Sequence, residues 1–395
     1  MPANTPYRYT AEDLYQHLRN RPDFVLLDVR NEKEFNNFAV EGPSFFPYIN
    51  IPYYDFIEDI EASLAKVPAG EKIRVVCSKE NSAKFVSEQL LAGGFTDVGY
   101  LQDGIVSWGN MLAPHRLTAE ADPYELYQMV RPGKASCSYM LIAGGEAAVF
   151  DPSANIDFYQ NFARQRGATI TKTLETHRQA DYIAGSILLQ KAMGAEVMVM
   201  APDFVGAEFP YTTLTDGQIF RLSTGPEIKV IHTPGHTLGS TSFLVDGKYL
   251  LSGDTIFIQS AGRPDLGGKS KEWSRILYLT LMVTLRDIDD QVIVLPGHYT
   301  SWNEANDDLV FAAPLGHLKK TNIAFHFIHE GTFGDFIEEN LRPQPEVYAE
   351  IRRINAGWRH VEVAEQNIMD LGKNECGASN YGKVGVSAEQ QRTKG

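Results

Sequence analysis

Strands alternate with helices over the first 110 residues of this chain, then pair with one another across tight glycine turns. Short β-rich runs stand at 23–29 (DFVLLDV), 71–77 (EKIRVVC) and 98–102 (VGYLQ). Between them AEDLYQHLRN and SAKFVSEQLLAGG carry apolar residues at helical spacing. Such alternation predicts a parallel sheet covered by helices. From SYMLIA and EAAVFDP onward the pattern changes. ITKTLETH, EVMVMA, IFRLST, EIKVIHTPGHT and TSFLVDGKYLLSGDT follow, interrupted by helical IDFYQNFARQRG and YIAGSILLQKAMG. This predicts an αββα sandwich with a mostly helical C-terminal third, whose extension (312–376) carries Pro343 and Pro345 between helical segments. The aperiodic stretch 111–123, with Pro114 and Pro123 near its ends, reads as a linker. The expected domains are therefore 1–115 and 120–395.

A chain of 395 residues is long for one core, which agrees with two domains. The 43% hydrophobic and 22% charged fractions are those of a globular protein, and no run approaches the roughly 18–20 apolar residues of a membrane helix. The N-terminus shows no basic region followed by an apolar core, so the expected location is the cytoplasm, with no membrane partner. A formal charge of −14 argues against a nucleic-acid partner. Three scattered cysteines, Cys77, Cys137 and Cys376, do not make a disulfide framework. The last residues, SAEQQRTKG, read as a frayed tail.

Four segments of the second domain end strands with metal-binding residue types: THRQADY (176–182), HTPGHT (232–237), SGDT (252–255) and PGHY (296–299). Their order and spacing resemble the metallo-β-lactamase superfamily over roughly 124–310. That superfamily's pattern is His-x-His-x-Asp-His, a later His, an Asp and a final His. Here the first His is His177, but the second is Gln179; the Asp is Asp181, but the following residue is Tyr182. An amide oxygen substitutes poorly for imidazole, so the two-metal centre of a hydrolase such as glyoxalase II is not expected. His177, His236 and Asp254 remain, a 2-His-1-carboxylate set that suits non-haem Fe(II) and leaves three positions open. Three protein ligands also suit zinc. The resemblance to the persulfide dioxygenase branch implies one Fe(II) per chain on these three residues.

Neighbouring residues have plainer readings. His232 is read as structural, Asp181 as orienting His177 or its loop, and His298 as lining the pocket or hydrogen-bonding there. In AGRPDLGG (261–268), Gly262, Arg263 and Asp265 match a Gly-Arg-x-Asp element of persulfide dioxygenases. Arg263 has two readings, a bidentate grip on a substrate carboxylate or a brace onto Asp265. GKNECG (372–377) resembles a terminal element of bacterial members of that branch, with no chemical role assigned to Cys376.

LLDVRNEKEF (26–35), the strand ending at Cys77 and DGIVSW (103–108) together resemble a rhodanese domain, which carries sulfane sulfur as a cysteine persulfide. The resemblance makes Cys77 the catalytic residue, its thiolate stabilised and its pKa lowered by backbone N–H groups at the start of a helix. The loop CSKENSA offers Lys79 where rhodaneses have an Arg, and Phe38-Ala39-Val40 replaces a common Gly-His-Ile element. A module without transfer activity is the competing reading.

The resemblances imply an enzyme that oxidises a small-molecule persulfide, such as glutathione persulfide, with O₂ to sulfite and thiol. The rhodanese module would handle the same sulfane sulfur. The alternative is a mononuclear zinc hydrolase of the glyoxalase II or thioesterase type; a non-enzymatic sulfur-binding protein is the third reading. The C-terminal extension is a candidate homo-oligomer interface.

Overall fold

The computed structural model describes residues 5–20 and 22–377, so the tail read at 387–395 lies outside the described residues. Five parallel strands make the first sheet: β1 (Tyr7–Tyr9), β2 (Phe24–Asp28), β3 (Tyr48–Asn50), β4 (Lys72–Val76) and β5 (Val98–Leu101), in the order β1-β5-β4-β2-β3. Every residue of β2 is buried, the reading expected of a strand covered on both faces. Helices Ala11–Arg19 and Asn81–Ala92 cover it, the first closed by a capping box between Thr10 and Asp13.

Two further sheets follow. One runs β12-β11-β10-β9-β8-β7-β6, from β6 (Ala113–Arg116), β7 (Glu125–Arg131), β8 (Ser136–Ala143), β9 (Glu146–Phe150), β10 (Thr169–Leu174), β11 (Glu196–Met200) and β12 (Thr212–Leu214). The other runs in chain order from β13 (Ile219–Arg221) through β14 (Glu227–His232), β15 (Thr241–Val245), β16 (Tyr249–Gly253) and β17 (Ile293–Pro296) to β18 (Ala313–Pro314). Alternation along the strands builds the layers. On β8, Tyr139 and Leu141 face the core shared with Phe243 and Leu251, while Met140 and Ile142 pack beneath Tyr159 and Phe162 of helix Ile156–Gln165. On the other sheet Leu251 and Leu295 face inward and Leu250 and Val294 outward, under Leu277 of helix Ser270–Leu279 and Phe333 of helix Glu330–Asn340. The result is the expected αββα sandwich behind a parallel α/β domain.

The stretch read as a linker behaves differently. Residues 113–116 form β6, which pairs antiparallel with β7. A strand of four residues on a sheet edge is too short to show a period, and Pro114 suits an edge. Among the described residues no helix is long and apolar enough to cross a membrane.

Candidate metal centre

All four sequence segments lie where strands end. His177 follows β10, His236 follows β14, Asp254 directly follows β16 and His298 follows β17. Because β9 and β10 pair in parallel with Phe150 opposite Leu174, Asp151 arrives beside Thr176. Its carboxylate accepts from the Thr176 N–H and from the Thr176 hydroxyl, both at 2.8 Å. That hydroxyl, its own proton committed, accepts from His177 Nδ1 at 2.9 Å. His236 Nδ1 donates to the Arg263 carbonyl at 2.8 Å. Both imidazoles are thus held in the tautomer that leaves Nε2 a free lone pair.

The two Nε2 atoms lie 3.8 and 3.5 Å from Asp254 Oδ2, and the rings stand edge to face with centroids 4.8 Å apart. All three residues are buried, and none of the three atoms has a hydrogen-bond partner. Buried polar atoms are rarely left so; three that converge fit an ion of the kind this donor set binds. Close packing keeps them together. Gly262 passes so near that a Cβ there would lie 2.0 Å from the Asp254 carbonyl oxygen and 2.8 Å from His236 Nδ1.

His298 lies behind this trio. Its Nδ1 donates to Asp254 Oδ1 at 2.7 Å and its Nε2 to Asp181 Oδ2 at 3.0 Å. Burial alone would push the imidazole down, but the two carboxylates at its ring nitrogens overcome that and raise it to about 10. Burial likewise opposes the Asp254 anion, yet His298 and the two facing histidines hold it well below the usual carboxylate range. Burial pushes His236 down to about 4, which keeps it neutral. Asp181 therefore orients His298, whereas the orientation of His177 expected of it comes from Thr176 and Asp151. The signal was present in sequence only as an Asp closing EAAVFD and a Thr before the His. Gln179 and Tyr182 are buried beside the trio, with Gln179 Nε2 3.5 Å from His177 Nδ1 and the Tyr182 hydroxyl donating to the Asp151 carbonyl at 3.3 Å. His232, bonded through Nε2 to the Leu238 carbonyl, stands apart, as read.

Arg263 requires a correction. The side chain is 1% exposed, and all three of its nitrogens are engaged. Nε and one terminal nitrogen grip Asp265 at 2.7 and 2.8 Å; the terminal nitrogens also donate to the backbone carbonyls of Arg342 and Glu375 at 2.5 and 3.0 Å. A guanidinium so committed braces the loop and the C-terminal segment; it is not presented to a substrate carboxylate.

In the first domain Cys77 is buried at the end of β4, ahead of helix Asn81–Ala92. Backbone N–H groups of Ala83, Lys79 and Ser82 hydrogen-bond the sulfur as expected, but burial outweighs them and raises the thiol above its ordinary value. The lowered pKa expected from the N–H cradle is thus corrected: desolvation of a nearly enclosed sulfur is the larger effect. Gly104 of DGIVSW holds the loop from below, at φ +61°, with the Ile105 N–H donating to the Cys77 carbonyl at 2.8 Å. Lys79 is exposed, and the loop carboxylate Glu80 is paired with Arg8 of β1 at 2.8 Å. Cys137 is buried in the sandwich core.

Comparison with known proteins agrees with this division. A rhodanese-like domain model matches residues 10–111, and a metallo-beta-lactamase superfamily model matches 132–298. A hydroxyacylglutathione hydrolase of Rhodospirillum rubrum is 33% identical over 164 residues, 41% of this chain and only 60% of that protein. One of Anaeromyxobacter dehalogenans is 29% identical over 190 residues, 48% of this chain and 70% of that protein. Among solved structures, a metallo-beta-lactamase from Staphylococcus aureus superposes with TM-score 0.55 at 28% identity, covering 61% of this chain and 74% of that one. ETHE1 from Myxococcus xanthus superposes with TM-score 0.53 at 23% identity, covering 59% and 99%, a likeness of fold. The chain joins an N-terminal rhodanese-like domain to a metallo-β-lactamase domain.

Proposed function

We propose that the chain is a mononuclear Fe(II) persulfide dioxygenase that converts a small persulfide, O₂ and water into thiol, sulfite and two protons, with the rhodanese-like domain exchanging sulfane sulfur. The observation that carries this reading is the trio of buried, unpartnered donor atoms, His177 Nε2, His236 Nε2 and Asp254 Oδ2. Two imidazoles and one carboxylate would hold a single iron ion and leave it accessible to sulfur and dioxygen. Iron held there supplies the redox chemistry that brings the two reactants together.

The chain's own residues prepare that site. Thr176 and the Arg263 carbonyl fix the tautomers of the two histidines, and His298 turns Asp254 so that Oδ2 faces them. Burial of all three ligands keeps bulk water from competing. The hydroxyacylglutathione hydrolase relatives favour a second reading, a zinc hydrolase of a glutathione thioester. Against it stand Gln179 and Tyr182, where a two-metal hydrolase of this superfamily carries histidines.

Protein grown without added zinc should contain iron at the His177 centre and consume one O₂ per glutathione persulfide, releasing sulfite. Cys77→Ser should leave that uptake nearly intact while abolishing sulfur transfer by the first domain. Zinc in place of iron, with thioester cleavage and no O₂ consumption, overturns the proposal.

A further inference from the structure

The turn at 132–135, between β7 and β8, touches the first domain on one side and the surroundings of the metal centre on the other. Gly133 lies against the end of helix Gly104–Asn110, where a Cβ would come within 2.8 Å of the Trp108 carbonyl oxygen. That helix starts at the Cys77 loop, the Ile105 N–H donating to the Cys77 carbonyl at 2.8 Å. On its other side the turn brackets His298: the Cys137 N–H donates to the Gly297 carbonyl at 2.7 Å, and the Tyr299 N–H to the Ala135 carbonyl at 3.1 Å. A line of buried charges of alternating sign joins the two sides. Arg131 donates to Asn110 Oδ1 and to Asp370 Oδ2, both at 2.9 Å, and Asp370 Oδ1 lies 3.7 Å from Lys134 Nζ. Lys134 Nζ donates to the Asp181 backbone carbonyl at 2.8 Å. The Asp181 carboxylate then accepts from His298, and Asp254 accepts from the other nitrogen of the same ring. Arg131, Asp370, Lys134, Asp181, His298 and Asp254 are each 4% exposed or less.

We propose that Lys134 is a positioning residue of the metal centre, and that through it the end of helix Gly104–Asn110 in the rhodanese-like domain sets how Asp254 is presented. Stability alone does not call for such a line. Buried charges lose about as much on leaving water as they gain from each other, and apolar side chains would join the domains at lower cost. What the charges add is direction, because each group is held in one arrangement by its neighbours and a displacement at one end is carried along the network. Lys134 fixes the Asp181 backbone, and Asp181 fixes the His298 ring. The ring in turn engages Asp254 Oδ1, which leaves Oδ2 facing the two histidine ligands. Outer partners of this kind set metal affinity as well as ligand orientation. The inference rests on one part of the proposed function, a single metal held by His177, His236 and Asp254, and not on the reaction performed there.

Full-length protein, stripped with a chelator and loaded with one equivalent of cobalt(II), tests it, since the visible bands of cobalt report the geometry of its ligands. His236→Ala identifies the bands of this centre by abolishing them. Lys134→Met keeps the length of the side chain and removes its charge; it should shift those bands and weaken cobalt binding about tenfold. Asn110→Ala, in the first domain, should shift them in the same sense by less. The double variant should go no further than Lys134→Met, because both changes act on one line. Leu126→Ala, a core truncation on β7 away from the line, should lower the melting temperature and leave bands and affinity unchanged. Wild-type bands and affinity in Lys134→Met, or an equal shift in Leu126→Ala, overturn the positioning role. Unchanged bands in Asn110→Ala, or effects that add in the double variant, overturn the link to the first domain; Asn110→Ala decides alone if Lys134→Met does not fold. O₂ uptake enters none of these readings, so failure of the dioxygenase reaction is a separate result.

Discussion

His298 is the residue whose charge the surrounding fold controls most. Clamped between Asp254 and Asp181, its ring in the metal-free protein is raised to about 10, against an ordinary value of 6.5. A base raised on folding contributes stability that is fully present below pH 6.5 and is lost as pH rises toward 10, because only the folded state retains the proton there. Metal-free protein should therefore lose stability across that window with a slope steeper than that of His298→Gln, by up to about 1.4 kcal/mol per pH unit. Urea melts of both proteins at pH 6.5, 8 and 9.5 measure the difference; parallel slopes would show that the ring is neutral. His236, pushed down to about 4, acts with the opposite sense: below pH 6.5 the unfolded chain takes a proton that the folded one refuses. The convergence of His177, His236 and Asp254 was legible in the sequence because each follows a strand within a recognisable short segment. The two hydrogen bonds from His298 to a pair of carboxylates were not, since its partners stand 44 and 117 residues away in the chain.

At the scale of elements, period decides what sequence reveals. β8, β9 and β16 alternate between an inner and an outer apolar face and are legible; β6, four residues on an edge, is not. The loop after β16 shows a different limit. Arg263 matched a family element, but its real partners, the carbonyls of Arg342 and Glu375, come from a segment with no local pattern linking it to residue 263. Its carboxylate partner was only two residues away and was visible. Removing one member of a buried ion pair costs about 3–5 kcal/mol, because the other charge is left unpaired. Arg263→Ala should accordingly lower the melting temperature and open the segment around Glu375 and Cys376 to protease, while the KM for persulfide in the proposed reaction stays close to wild type in the remaining folded protein. A KM raised more than tenfold with unchanged proteolysis would restore the substrate-binding role. The Cys77 loop gives the converse lesson: its N–H cradle was legible from strand, polar loop and helix, whereas the net direction of the thiol pKa was not, because burial is a property of the folded domain.

Across the whole molecule, the two domains share a core. Leu101, Ile105 and Trp108 of the first pack in one cluster with Val130 and Tyr139 of the second. Arg131 of β7 donates through Nε to the Gly109 carbonyl at 2.6 Å and through a terminal nitrogen to Asn110 Oδ1 and Asp370 Oδ2, both at 2.9 Å. Gly133 lies so close that a Cβ there would meet the Gly109 Cα at 2.6 Å. Lys373 of the C-terminal segment pairs with Glu41 at 2.9 Å, so the segment carrying Cys376 touches the rhodanese-like domain before it reaches the metal centre. Domains tied by a buried tryptophan and by the hydrogen bonds of buried Arg131 to Gly109 and Asn110 should melt together, unlike domains joined by a loose linker. Calorimetry of the full chain should show one transition. Trp108→Ala removes a fully buried side chain and should cost about 3–5 kcal/mol, enough to separate it into two transitions with the rhodanese-like domain melting first. Two transitions already resolved in the wild type, unmoved by Trp108→Ala, would mean that the shared core does not couple the domains.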